Sequence, residues 1–190
     1  MSALPQDYLG DLLSAVERGE PDAFGSLVEA VYPELKKLAH FQLLGERPNH
    51  TLNTTAIVHE AFVRLSGSEG NWTDRRHFLR ASSKVMRHLL VDHARKRNAA
   101  KRGGGAKALT LDENLLESQD DSLAVLALED AINNMRDIDP RLVEIVECRF
   151  FAGLSVSDTA EALDTSVRTV ERGSQRAQAY LLGALDNKDE

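Results

Sequence analysis

The sequence predicts an all-α fold: two small helical domains joined by a flexible acidic linker, the second carrying a helix-turn-helix. Three observations lead there. Apolar residues recur at three- and four-residue spacing through most of the 190 residues, while strict alternation nowhere lasts six residues. Asn-Gly and Asp-Gly hairpin turns are lacking, and the β-branched residues are scattered among helix formers. A run of three glycines, Gly103 to Gly105, then separates a basic stretch from an acidic one, which sets the boundary between the two units.

Taken in order, Leu27, Val31, Leu35 and Leu38 form the first helical stripe. Pro33 lies inside it and predicts a kink or break near Tyr32. Gly45-Glu46-Arg47-Pro48-Asn49 reads as a loop, and Ile57, Val58, Ala61, Phe62 and Leu65 as the second stripe. Ser66-Gly67-Ser68-Glu69-Gly70-Asn71 is the next loop. Phe78, Val85 and Leu89, widened by Met86 and Leu90, mark a third helix that runs on through Arg97. Residues 1–101 make the first domain and 122–190 the second. The linker, 102–121, is acidic and glycine-bearing, with a coil-like reach of about 25 Å. Leu109, Leu111, Leu115 and Leu116 within it fit either transient docking or a short helical turn.

Hydrophobic residues are 42% of the chain and aromatics 5%, enough apolar material for a core or two small ones. No window approaches the ~18 consecutive apolar residues of a membrane span. The first residues lack the basic stretch and apolar run of a secretory signal. The single cysteine, Cys148, has no partner for an internal disulfide and cannot build a thiolate zinc site. A reduced, cytoplasmic protein without membrane insertion, metal or cofactor is expected.

The net charge of −7 argues against a nucleic-acid partner only until it is resolved along the chain. Residues 74–108 hold 11 basic and 2 acidic side chains, a net +9, and residues 109–139 hold 1 basic and 9 acidic, a net −8. A polyanion-binding segment beside an acidic spacer accounts for that asymmetry; a solvated helix face beside an acidic loop is the plainer alternative.

In the second domain, Leu128, Ile132 and Met135 lie at helical spacing, and Asp139-Pro140 ends one helix and starts another. Leu142, Val143, Val146 and Phe150 line that helix until Gly153. Ser155 with Asp158 has the pattern of a capping box. Asp164-Thr165-Ser166 then interrupts a short helix, and a further one starts at Val167. A short helix, a tight turn and a second helix is the layout that puts the N-terminal residues of the second helix against base edges in the major groove. The polar side chains offered there are Arg168, Thr169, Glu171, Arg172, Gln175 and Arg176, with Val167, Val170, Ala177 and Leu181 facing inward. Arg reads guanine bidentately, Gln reads adenine, and Glu accepts from cytosine. Gly173 sits mid-helix, costs about 1 kcal/mol relative to alanine, and predicts a loosened helix.

The basic stretch is itself helical. Arg75, Arg76, Arg80, Lys84, Arg87, His88, Arg95, Lys96 and Arg97 can lay cations along a phosphate backbone, with Phe78, Val85 and Leu89 on the other side. Trp72 offers a face for base stacking, although packing at a domain edge is the commoner fate of a lone tryptophan.

These residues resemble the sigma-70 family of bacterial RNA polymerase sigma factors, in its extracytoplasmic-function (ECF) type. Asp22 to Leu38 is similar to the family's first helix region, Ala56 to Leu65 to its polymerase-binding helix, and Phe78 to Arg97 to its promoter-melting region. Asp139-Pro140-Arg141 through Arg149-Phe150-Phe151 and Gly153-Leu154-Ser155 to Thr169-Val170 resembles its C-terminal domain. The ordered set spans about four fifths of the chain. The resemblance implies a sigma factor that directs core RNA polymerase to specific promoters. Val58, His59, Glu60, Phe62 and Leu65 would bind the polymerase, the nine 75–97 residues would open the −10 element, and the 168–176 residues would read the −35 element. Promoter DNA and core polymerase would be the partners, with an anti-sigma factor a further candidate. The chain departs from the pattern at Thr54-Thr55-Ala56, where acidic residues are common, at His88, where Asn often stands, at Asp164, where Gly is usual, and at Gly173-Ser174.

An enzyme has little support. His59-Glu60 is followed at position 63 by Val rather than a second zinc-ligating His, and His88 and His93, five apart, do not share a helical face. No catalytic residue is therefore expected. The alternative is a stand-alone helix-turn-helix transcriptional regulator with an N-terminal interaction domain, which would bind duplex DNA without polymerase.

Overall fold

The computed structural model describes residues 6–43, 50–67, 72–102 and 119–186. These are helical: α1 Gln6–Glu17, α2 Ala23–Gln42, α3 His50–Ser66, α4 Arg75–Arg102, α5 Gln119–Ile138, α6 Pro140–Val146, α7 Val156–Ala162 and α8 Val167–Asp186, with a π-helical turn at Glu147–Phe151 between α6 and α7. Among them no helix is long and apolar enough to cross a membrane. The loop expected at 45–49, most of that at 66–71, and nearly all of the 102–121 linker lie outside the described residues.

The first half packs α1 to α4 around one core. Leu27, Val31, Leu35 and Leu38 of α2 meet Ile57, Val58, Ala61 and Leu65 of α3 and Phe78, Met86 and Leu89 of α4. Full burial of each large side chain contributes about 1.5–3 kcal/mol. The sequence reading assigned no helix to α1. Its short stripe, Leu9 and Leu13 with Val16 beside them, is held by packing on α2 and the rest of this core. Pro33 neither kinks nor breaks the chain enough to end α2. Pro33 and Glu29, whose carbonyl loses its partner, both lie on the exposed side, where water can serve that carbonyl. Trp72 joins an aromatic cluster, 5.7 Å from Phe24 and 5.0 Å from Phe78 between ring centroids, so its face is taken by packing.

In the second half the local start signals are all formed. The Asp139 side chain accepts from the Leu142 N–H ahead of Pro140. Ser155 and Asp158 make a reciprocal capping box, and the Ser166 hydroxyl accepts from the Thr169 N–H at 3.1 Å. Gly153 has φ +64, a left-handed conformation that glycine adopts without strain. Asp164 adopts φ 46 at the corner between α7 and α8, which a short polar side chain tolerates.

Three features of this half were not legible beforehand. The helix after Pro140 does not run regularly to Gly153 but widens into the π turn, held in part by the Arg149 guanidinium donating to the Leu154 carbonyl. Val167 is 45% exposed rather than inward. Gly173 is buried against α6, where a Cβ would lie 2.4 Å from Ile145 Cδ1. The glycine therefore lets two helices approach closely, and the helix it was expected to loosen is held by that contact.

The two halves touch. Val125 of α5 belongs to the first core, while Ile132 and Met135 of the same helix belong to the second.

Candidate nucleic-acid interface

Two cationic surfaces are present, one on each half. On α8, Arg168, Thr169, Glu171, Arg172, Gln175 and Arg176 are all exposed, while Val170 and Ala177 are fully buried. The 3.6-residue period, anchored by Val170, Gly173 and Ala177 on one side, turns the polar set outward. Arg168, Arg172 and Arg176 share with Arg141 an open cleft of about 350 Å³ at the junction with α6. Arg176 lies 3.5 Å from Asp139, and Arg141 pairs with Glu144 at 3.0 Å and also donates to the Leu163 carbonyl. The Asp139 carboxylate thus steadies the base of the cleft, and Arg168 and Arg172 stand clear of it.

The sequence reading put the α4 cations on one side of the helix; they form two stripes. Arg76, Arg80 and Arg87, four and seven residues apart, face the second half. Arg76 bonds Glu161 of α7 at 3.0 Å. Arg80 lies 3.4 Å from Glu147 in the π turn. The Arg87 side chain, only 5% exposed, pairs with Glu129 of α5, lies 3.6 Å from Glu147, and has the Phe151 ring 5.5 Å from its guanidinium carbon. Lys84, His88, Arg95 and Lys96 make up the outward stripe and are exposed. Arg75 is bridged to Glu34 at 2.9 Å, and Arg97 is partly exposed. Glu129, Glu147 and Glu161 were missed from the sequence; the −8 block adjoining the +9 block was a signal for the first of them alone.

Charges shift accordingly. The Arg76 hydrogen bond holds the Glu161 carboxyl below its ordinary value, and Glu161 in turn raises Arg76. Burial pushes the Asp74 carboxyl up, but the His77 backbone N–H and Arg76 outweigh it and hold it low. Burial and the adjacent Arg87 lower His88, so at neutral pH it offers an uncharged ring. Because the folded Glu161 value lies below the ordinary 4.5, its contribution is complete above that pH and is lost as pH falls through the lower folded value. In an Arg76→Ala chain, the Glu161 carboxyl followed by NMR is expected to titrate at its ordinary value; an unchanged titration would dissociate the two groups.

On α3, Val58 and Leu65 are buried in the core, whereas His59 is exposed and Glu60 and Phe62 are partly so. Val63, 56% exposed, adds an apolar side chain that the sequence reading did not select. The face is braced by a Glu60–His93 side-chain hydrogen bond at 3.3 Å and an Arg64–Asp92 ion pair at 3.3 Å.

The family model described as "ECF sigma factor" matches residues 6–187. The curated ECF RNA polymerase sigma factor BldN of Streptomyces coelicolor is 27% identical over 179 residues. The aligned region is 90% of this chain, which spans 65% of that relative's length. No solved structure matches. With both cationic helices inside the matched span and both halves covered in order, the chain belongs to the ECF sigma factor family.

Proposed function

We propose that the chain directs core RNA polymerase to specific promoters, opening the −10 element along α4 and reading the −35 element through α8. The observation that carries this reading is the family match across both halves, which includes both cationic helices. The chain then works by binding and contributes no catalytic group. Its partners are core polymerase and promoter DNA, with an anti-sigma factor as a further candidate.

On α3, His59, Glu60, Phe62 and Val63 form the polymerase-facing surface, and Val58 and Leu65 serve by anchoring that helix in the core. On α4, the exposed cations Lys84, Arg95 and Lys96, with the uncharged His88 ring among them, are the groups a strand meets first; Arg75, Arg76, Arg80, Arg87 and Arg97 complete the −10 surface. On α8, the exposed Arg168, Thr169, Glu171, Arg172, Gln175 and Arg176 would meet the base edges. The family's arrangement routes the 102–121 linker through the polymerase. Each DNA contact is modest alone, and tethering two of them on the polymerase raises the effective concentration of the second.

In vitro transcription with core polymerase, followed by mapping of start sites, tests the reading. Specific initiation that depends on this chain is expected. Tight duplex binding without polymerase, together with no initiation, would instead favour the stand-alone helix-turn-helix regulator. Within the proposed role, Arg172→Ala is expected to cost about 1–3 kcal/mol of discrimination at one −35 position. Transcription from templates randomised at each −35 position checks it, and an unchanged preference moves the readout to Arg168 or Arg176.

A further inference from the structure

We propose that the leucine-bearing part of the linker, Leu109 to Leu116, docks in an apolar groove between the end of α2 and the second half.

The groove is open, about 640 Å³ in volume, and walled by Phe41 of α2, Leu128 of α5, Phe150 of the π turn and Leu181, Leu182 and Leu185 of α8. Phe41 and Leu182 are 59% and 56% exposed, so large apolar side chains of two walls face water. Its polar lining is confined to His40 and Gln178, and none of the cations assigned to DNA belongs to it. A concave, mostly apolar surface of this size is what binding sites offer, and leaving it wet is unfavourable.

The chain itself points to the occupant. Three stretches outside the described residues continue from elements that wall the groove: 44–49 after α2, 103–118 before α5 and 187–190 after α8. The first offers Leu44 as its one large apolar residue and the last offers none, whereas 103–118 carries four leucines. At helical spacing Leu111 and Leu115 share a side, as do Leu109 and Leu116, so two turns of helix would gather all four on half of the circumference. Asp112, Glu113 and Glu117 accompany them, and the exposed Lys37, one turn before Phe41 on the same side of α2, supplies the complementary charge at the rim.

The reach suffices from both ends. Leu128 lies nine residues into α5 from Gln119, about 14 Å along its axis. Leu115, four residues before Gln119, spans about 14 Å of extended chain. Arg87 meets Glu129, the neighbour of Leu128, fifteen residues before α4 ends at Arg102 and so about 22 Å from that end. Leu109, seven residues beyond Arg102, spans about 24 Å of extended chain. The turn back along α4 falls at Gly103 to Gly105, where glycine permits a sharp reversal.

Hydrogen exchange of the full chain without polymerase tests the proposal, read by mass spectrometry over 109–116 against an isolated peptide of the same sequence. Exchange about tenfold or more slower in the chain than in the peptide is expected. Leu182→Asp in the groove, and Leu111→Ser with Leu115→Ser in the linker, should each return the rate to that of the peptide. Ile138→Ser, at a 71% exposed position outside the groove, should leave it slow. Exchange at the peptide's rate in the wild type overturns the proposal, whichever other segment is slow. Protection that survives either the groove or the linker change overturns it by placing the segment elsewhere, and protection lost in Ile138→Ser does so by assigning it to general loosening. Light scattering over a concentration series identifies the remaining occupant: protection that appears only as the mass doubles gives the groove to a second copy and overturns docking within one chain. Circular dichroism verifies folding, and should Leu182→Asp misfold, Phe41→Ser challenges the groove from α2 with the same expected loss of protection. Because polymerase is left out, this outcome and that of the transcription assay are independent.

Discussion

Gly173→Leu is expected to destabilise the second half by about 3 kcal/mol, the upper range for overpacking a close-fitting contact. A Cβ at this position would already lie 2.4 Å from Ile145 Cδ1 and 3.6 Å from Leu142 Cδ2, and Ile145 is itself 1% exposed, with little room to yield. Alanine would recover about 1 kcal/mol of helix propensity while pushing the end of the Ile145 side chain, so its net effect is small. Leucine cannot be absorbed that way and must move α8 off α6. Chemical denaturation of the full chain measures the loss. Combining Gly173→Leu with Ile145→Ala makes room for the new side chain, so the double variant should be more stable than the sum of the singles by about 1 kcal/mol or more. Strict additivity would mean that the two positions do not meet. Because Arg172 and Arg176 flank Gly173, the single variant should also lose −35 discrimination.

Arg95→Glu with Lys96→Glu is expected to give the largest functional loss. Both side chains are exposed near the end of α4, outside the stripe held by the second half, so they are free for phosphates in any arrangement of the chain. Each phosphate contact contributes about one unit to the slope of log affinity against log salt, and reversing two charges should flatten that slope by about two units. The accompanying drop in affinity for melted promoter DNA is on the order of a hundredfold at low salt. The loss should be uniform across promoters, unlike that of Arg172→Ala, because phosphates carry no sequence. Stability should change by no more than about 0.5 kcal/mol, as for other exposed substitutions. Promoter opening by the reconstituted polymerase, measured across salt concentrations, decides the matter; unchanged opening would remove this end of α4 from the DNA surface.

The sequence by itself determined the helical class, the start signals at Asp139-Pro140 and Ser155, and the identity of the cations on α4 and α8. Those features depend on interactions within about four residues, where spacing and residue type are sufficient. It also determined that α8 would present Arg168 and Arg172 outward, since Val170 and Ala177 point the other way by helical period alone. Only the tertiary structure decided how the α4 cations divide. Arg87 meets Glu129 and Glu147 across forty-two and sixty residues, and no local pattern specifies which face of one helix will meet another. The same holds for α1, whose short apolar stripe becomes a helix by packing on α2, and for Gly173, a defect in an isolated helix that becomes a requirement where Ile145 closes against it. Propensity acts along the chain; close approach and charge pairing act across it, and here they decide which cations stand free.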